Sequence, residues 1–289
     1  MRYLPCSGST IAGLKSPCTS AGRRSVDGWA RQGGDRVLTA AERNQFETNG
    51  FILGPAVYDP EAMRRVRDEL YAVLATTSYA GSATAHRHLD SRTVHDLVAQ
   101  PAIVERMASL LGPDLLLWHT RFFDKPPGSG PVPWHQDMAF WPLKPDICAS
   151  VWIAIDRADT GNGCVEVIPG SHRLRVPHVP SSGTGRFGRQ SDPSIIDETR
   201  KVSIELDPGE FMIFDRWLLH GSPPNDSSRP RLGLAARIVP TWVTIDFDRM
   251  SPTFPQLAAQ LIRGKDTFRL NRLALAPAKA DEARSETSA

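Results

Sequence analysis

The texture of the chain changes at about Leu115. Upstream, apolar residues recur every three or four positions; downstream, short β-branched and aromatic runs alternate with Gly/Pro turns. Met63, Val66, Leu70, Val73 and Leu74 share one face of a helix opened by Asp59-Pro60, with Asp as N-cap and Pro at the first helical position. Ile103, Met107, Leu110 and Leu111 are the stripe of another helix, which begins near Pro101 and stops at Gly112-Pro113. Ahead of both, Thr39-Ala40-Ala41-Glu42 has the form of a capping box, and its helix runs out at Asn49-Gly50, a left-handed C-cap. Phe51-Ile52-Leu53 then reads as a brief strand.

Six strands are predicted beyond that point, at 115–123, 150–155, 165–168, 202–205, 211–214 and 232–239. Many short strands with regular turn signals indicate a sandwich, barrel or jelly roll. Helices preceding strands make the fold α+β, mainly β, with the N-terminal helices packed outside the β core. Residues 181–200 hold Ser-Ser-Gly-Thr-Gly and few apolar side chains, so a long loop of the lid or binding type is expected there. Residues 1–36, rich in Ser, Gly and Arg, read as a disordered tail, with a targeting segment or an early-assigned start as the other readings. One domain is expected over 37–275, followed by a tail at 276–289.

Composition narrows the function classes. Of 289 residues, 40% are hydrophobic and 23% charged, enough for a sizeable core without staples. A net charge of +2 with no basic run interleaved with aromatics argues against nucleic acid. No apolar stretch approaches the roughly 20 residues that span a bilayer. The expected partner is a small-molecule substrate, the expected state a monomer or homodimer. Four cysteines without a CxxC pair suit a reducing cytoplasm.

The chemistry concentrates in Trp134-His135-Gln136-Asp137. On a strand, residues i and i+2 point the same way, so His135 and Asp137 present an imidazole and a carboxylate together. That is two thirds of a 2-His-1-carboxylate set, which leaves one face of an Fe(II) ion open; a surface His–Asp ion pair is the bland alternative. His220 follows a buried apolar run and enters the turn Gly221-Ser222-Pro223-Pro224. Arg231, at the start of the next strand, is brought back toward His220 if the two strands form a hairpin. A buried guanidinium needs an anion, and a dicarboxylate chelating the metal supplies one. Arg229 and Arg237 compete for that role.

With those residues in view, the sequence resembles the phytanoyl-CoA dioxygenase family of Fe(II)/2-oxoglutarate oxygenases. The resemblance runs from about Leu38 to about Pro240 and is carried by Trp134-His135-Gln136-Asp137, Asn162-Gly163-Cys164, Ile168-Pro169-Gly170-Ser171-His172, and His220-Gly221-Ser222 with Asn225 and Arg231. It implies a double-stranded β-helix, a cupin-like jelly roll with the metal in its mouth. It implies His135, Asp137 and His220 as iron ligands and Arg231, assisted by Ser222, as the partner of the distal carboxylate of 2-oxoglutarate. Gln136, Trp152 and Arg121 resemble positions that line the co-substrate pocket. The implied reaction consumes O2 and 2-oxoglutarate, releases succinate and CO2, and hydroxylates a substrate C–H bond, as in a secondary-metabolite pathway. Halogenating relatives lack the carboxylate ligand, so Asp137 disfavours that outcome.

Two readings from other classes stay open: a non-oxidative cupin-type enzyme using Zn(II) or Mn(II), and a degenerate small-molecule binding module. For substrate, Phe122, Phe140, Trp141 and Trp217 are candidate pocket walls or plain core, and Lys125, Lys144, Arg173 and Arg186 are candidate anion contacts or solvated charges. His172 is expected to be structural, and His86, His88, His95 and His178 carry no partner pattern.

Overall fold

The computed structural model describes residues 37–77, 81–181, 188–250, 254 and 256–278. The predicted tail 1–36 and most of the predicted tail 276–289 lie outside the described residues. Local signals act where the sequence places them. Thr39 and Glu42 form the capping box of α1 (Ala40–Asn49), which ends at Gly50 with φ 84°. β1 (Phe51–Gly54) follows directly. Asp59 accepts from the backbone N–H groups of Glu61 and Ala62 and opens α2 (Pro60–Leu74). The sequence reading misses α3 (Arg92–Val98), a seven-residue helix capped by Ser91, too short to show a period. α4 (Pro101–Leu111) is the helix predicted from the Pro101 stripe.

The β region begins with β2 (Leu115–Lys125) and β3 (Val132–His135), followed by β4 (Leu143–Lys144), β5 (Ala149–Ala154) and β6 (Val165–Val167). β7 (His178–Pro180) pairs with β8 (Arg189–Ser191), so part of the expected 181–200 loop is the arm of a hairpin; 3-10 turns at Pro193–Ile195 and Glu198–Arg200 follow it, and residues 182–187 lie outside the described residues. The reason is local: Asp192 and Asp197 each cap a turn through their own side chains, a polar signal that reads as loop. β9 (Val202–Ile204), β10 (Phe211–Asp215), β11 (His220–Ser222) and β12 (Arg231–Pro240) complete the roll. β13 (Thr244–Ile245), the single turn α5 (Phe247–Met250) and β14 (Gln260–Arg263) follow.

Two antiparallel sheets face each other. The larger has the order β1-β10-β5-β12-β2-β14, the smaller β3-β11-β6-β9. This is the double-stranded β-helix that the family resemblance implies. One expectation needs correcting: β11 and β12 form no hairpin. They lie in different sheets, so His220 and Arg231 face one interior from opposite walls.

Both faces of the large sheet are buried, and alternation sorts their chemistry. Ala149, Val151 and Ile153 of β5, Phe211 and Ile213 of β10, and Leu232, Leu234, Ala236 and Ile238 of β12 join Met63, Leu70, Val94, Leu97, Ile103 and Met107 from the helices. Trp152, Met212, Phe214 and Ala235 turn the other way and pack with Val165, Val167, Val202 and Ile204 of the small sheet. Along β12 the positions alternating with the helix-facing leucines are Arg231, Gly233, Ala235 and Arg237, so this strand puts two guanidinium groups inside the roll.

Polar anchors fix the helices to that sheet. Asp156, just beyond β5, binds Arg67 Nε at 2.6 Å, Tyr71 Oη at 2.6 Å and the backbone N–H of Leu232 at 2.9 Å. Burial, and then the accepting Asp156 carboxylate, push the Tyr71 phenol up from its ordinary value. α2 is thereby tied to the start of β12, one residue from Arg231. Leu234 is fully buried on the helix side. Leu234→Ala is expected to lower the unfolding free energy by about 2–5 kcal/mol, measured by urea denaturation; a loss under about 1 kcal/mol would mean the helix layer carries little of the core.

Candidate active site

β3 and β11 are hydrogen-bonded neighbours, and their register sets His135 opposite His220. The two imidazole centroids are 4.1 Å apart. β3 ends at His135, but Gln136 keeps extended angles (φ −115°, ψ 124°), so the alternation runs one residue past the strand and Asp137 returns to the side of His135. Ligand atoms of His135, Asp137 and His220 all lie within 4.8 Å of one another, and all three residues are buried. Nε2 of His135 is 3.7 Å, and Nε2 of His220 3.9 Å, from Oδ1 of Asp137.

The hydrogen bonds fix the tautomers. His135 Nδ1 donates to the Pro133 carbonyl at 2.8 Å and His220 Nδ1 to the Leu218 carbonyl at 2.9 Å. A carbonyl only accepts, so each Nδ1 carries the proton and each neutral Nε2 turns a lone pair toward the carboxylate. Burial, with the neighbouring His220, pushes His135 down to about 3, and burial pushes His220 down as well. Burial alone would raise Asp137; the Arg237 guanidinium and the two imidazoles outweigh it and hold the carboxyl below its ordinary value. Two neutral imidazoles and one ionised carboxylate are the protonation states a divalent cation requires.

Asp137 is braced from the large sheet. Its Oδ2 accepts from Ser150 Oγ at 3.0 Å, and Arg237 Nη2 stands 3.4 Å from both carboxylate oxygens. The Arg237 guanidinium lies 5.1 Å from the Trp141 ring centroid. Sequence reasoning holds Arg237 only as a rival for Arg231; its spacing of six along an alternating strand is the signal that both point inward.

Arg231 is fully buried, donates to the Gly163 carbonyl at 2.6 Å and sits 5.3 Å from the Trp152 ring. Trp152 can lie there because residue 233 is glycine: a Cβ at Gly233 would fall 2.1 Å from the indole. A cleft lined by His135, His220, Ser222, Trp152, Phe123, Arg231 and Arg237 joins the triad to this guanidinium. Ser222 Oγ is buried in it without a hydrogen-bond partner among the described residues. A cation between the three ligand atoms and a dicarboxylate reaching from it to Arg231 and Ser222 fit this donor set.

The remaining candidates divide. Trp152 and Ser222 are in the cleft, whereas Arg121 stands further along the inner face of β2, opposite Ala235 and bridged to Ala85. Gln136 is corrected: its side chain turns to the other side, donating to the carbonyls of Leu174 at 2.9 Å and Trp217 at 2.6 Å and accepting from Val176 N–H at 3.0 Å. Its amide is fully used as a clamp between loops. Arg229 is excluded as a rival to Arg231, because it is half exposed and binds Asp159 at 2.6 Å. Phe122 packs against the helices and Lys125 donates to the Pro223 carbonyl. Trp217 lies under Arg175, and His172 reaches the Glu47 carbonyl. Arg186 lies outside the described residues.

Residues 46–233 match the model of the phytanoyl-CoA dioxygenase (PhyH) family. The chain belongs to the phytanoyl-CoA dioxygenase family. A probable phytanoyl-CoA dioxygenase of Caenorhabditis elegans is 25% identical over 237 residues, 71% of this chain and 75% of that one. The ectoine dioxygenase of Halomonas elongata is 29% identical over 227 residues, 68% of each chain. The structure of CytC3 with Fe(II) and alpha-ketoglutarate superposes with a TM-score of 0.65 at 27% identity, covering 83% of this chain and 94% of that one. Like its relatives in the phytanoyl-CoA dioxygenase family, this chain is an Fe(II)- and 2-oxoglutarate-dependent dioxygenase. Among the described residues no helix is long and apolar enough to cross a membrane.

Three further histidines outside the triad, His86, His88 and His119, are buried, and burial pushes each well down, His86 to about 3. Between that depressed value and the unfolded value near 6.5, the unfolded chain binds the proton and the fold refuses it. Stability is therefore full above about pH 6.5 and is lost as pH falls. At pH 5 a histidine held as low as His86 costs about 2 kcal/mol. Urea denaturation at pH 7.5 and pH 5 is expected to show the decline, and His88→Gln to reduce it; an unchanged slope in the variant would mean His88 is not held neutral.

Proposed function

We propose that this dioxygenase hydroxylates an unactivated C–H bond of a small molecule, with His135, Asp137 and His220 holding the iron. The observation that carries the reading is the convergence of two Nε2 lone pairs and one ionised carboxylate beside a buried guanidinium. When bound, Fe(II) with 2-oxoglutarate supplies the oxidising chemistry: O2 is consumed, succinate and CO2 leave, and one oxygen atom goes to the substrate.

The protein's part is placement. The Pro133 and Leu218 carbonyls keep both imidazoles turned by their Nδ1 protons. Ser150 and Arg237 stop the Asp137 carboxylate from rotating and offset its charge. Arg231, with Ser222 beside it, receives the distal carboxylate of 2-oxoglutarate, and Trp152 lies against the guanidinium and keeps water from it. Gly163 supports Arg231 from behind through its carbonyl. Asp137 offers the carboxylate ligand, which disfavours halogenation. A secondary-metabolite intermediate is the substrate class we favour. We place the enzyme in the cytoplasm, where its buried Cys148 and Cys164 would remain thiols, as a monomer or homodimer.

Two substitutions test the assignment. Asp137→Ala is expected to abolish succinate formation and Fe(II) binding in a protein that circular dichroism still shows folded, though less stable because Arg237 loses its carboxylate; retained turnover would remove Asp137 from the ligand set. Arg231→Ala is expected to raise the KM for 2-oxoglutarate by about 10- to 100-fold, the loss of one charge-assisted pair, with Fe(II) affinity moving far less. An unchanged KM would pass the role to Arg237.

A further inference from the structure

Next to Arg237 stands a group of polar side chains that neither the metal nor the co-substrate uses. His119 is the register partner of Arg237 across β2 and β12. His86 lies edge-on to His119, with centroids 4.5 Å apart, and 4.7 Å from Phe254. Both ring nitrogens of His86 and Nδ1 of His119 are buried without a hydrogen-bond partner among the described residues. A neutral imidazole always has one donor and one acceptor, and leaving either buried and unmet is unfavourable.

His86 bears a second cost. Its backbone is left-handed, at φ 59° and ψ 23°, a conformation that is strained outside glycine. The chain holds it there: His86 N–H donates to the Thr120 carbonyl at 2.8 Å, and Ala85 bridges to Arg121. An imidazole kept strained and unsatisfied beside the reaction centre is accounted for if a ligand atom completes it.

The field at this spot selects the ligand's charge. Burial comes first in holding both imidazoles neutral, and among the described residues the charged side chains that add to it are Arg121 and Arg237. Arg237 is committed to Asp137 at 3.4 Å. Arg121 adds a second guanidinium, two positions from His119 on the same inner face of β2, and with the N–H donors of the imidazoles it makes a positive, donor-rich surround that suits a planar anion with two oxygens. Trp141, 5.1 Å beneath the Arg237 guanidinium, and Phe254 against His86 supply aromatic walls.

We propose that His86, His119 and Arg121 form the subsite that receives the carboxylate of an aromatic carboxylic acid substrate. The proposal rests on reading the neighbouring triad as the iron centre. It makes these residues determinants of specificity for the dioxygenase reaction: holding the carboxylate aims the rest of the molecule past Arg237 at the metal.

The test uses the full chain with Mn(II) and saturating 2-oxoglutarate, so that nothing turns over. Phenylacetate and, separately, phenylacetamide are titrated in and followed by tryptophan fluorescence and calorimetry. The acid is expected to bind about ten-fold or more tighter than the amide, and that preference to fall to near parity in both His119→Phe and Arg121→Leu. Equal binding of the two probes, no binding of either at millimolar concentration, or a preference that survives both substitutions would overturn the subsite. Mn(II) uptake, read by electron paramagnetic resonance before any probe is added, reports on the metal reading separately. Should the wild type take up none, the iron reading is lost, and the same titration on the metal-free protein still decides the subsite. Should either variant lose Mn(II) uptake, His86→Asn, which tolerates the left-handed backbone, takes its place with the same expected loss of preference.

Discussion

A carboxylate kept ionised inside the protein is the constraint around which the rest is arranged. Asp137 is almost fully buried, and an isolated charge there would be neutralised by proton uptake. It stays ionised because four groups meet it: the imidazoles of His135 and His220 from the small sheet, and Ser150 and Arg237 from the large one. The pair Asp137–Arg237 therefore joins the two sheets at the point where a cation is to be held. Removing either charge leaves the other buried and unmet, so the site and the closure of the roll are linked by one electrostatic requirement.

That requirement explains the helix layer. Guanidinium groups reach the interior only from a strand whose alternate positions are buried on the other face, since a β12 exposed on its outer face would be free to twist and shift register. Leu232, Leu234, Ala236 and Ile238 are held against the helices, and this fixes the phase in which Arg231 and Arg237 point inward. Asp156 tightens the phase at its start by binding Leu232 N–H while gripping Arg67 and Tyr71 of α2. Gly233, between the two arginines, leaves room for the Trp152 indole. Helix packing on one face thus sets chemistry on the other.

Much of this is legible in the amino-acid sequence, and what escapes does so for identifiable reasons. Caps and breakers act within a few residues, so Thr39–Glu42, Gly50 and Asp59-Pro60 announce their helices correctly. His135 and Asp137 fall together because alternation survives past the end of β3, which pattern alone foresees. The placement of Arg231 depends on which sheet β12 joins, a long-range choice that no local signal encodes; the hairpin expectation fails for that reason. Gln136 shares a tripeptide with two ligands yet faces away, because the alternation that unites its neighbours excludes it. His86 offers no signal at all in sequence: its importance comes from a left-handed backbone and from side chains brought in by β2 and β12.

The histidines of this roll differ in how many of their ring nitrogens the protein itself meets, and in what lies beside the unmet ones. His172, which sits in a motif, makes an ordinary hydrogen bond to the Glu47 carbonyl and packs against Gly50, and His178 accepts from the Gln136 N–H while Nδ1 donates to Val176. The His178 ring is thus completed by the protein itself, whereas His172 is met at Nε2 and keeps Nδ1 buried without a partner among the described residues. The triad imidazoles are completed on one nitrogen only, which leaves the other for a metal, and His86 is completed on neither. A folded chain gains by pairing every buried donor and acceptor, so an atom left unmet calls for an explanation, and where it borders the site a ligand supplies one. In this dioxygenase such atoms include Gln45 Nε2 and Arg106 Nε in the helix layer as well as Ser222 Oγ in the cleft and the His86 and His119 nitrogens on the neighbouring wall; it is their place beside the Asp137–Arg237 pair that sets the last two groups apart.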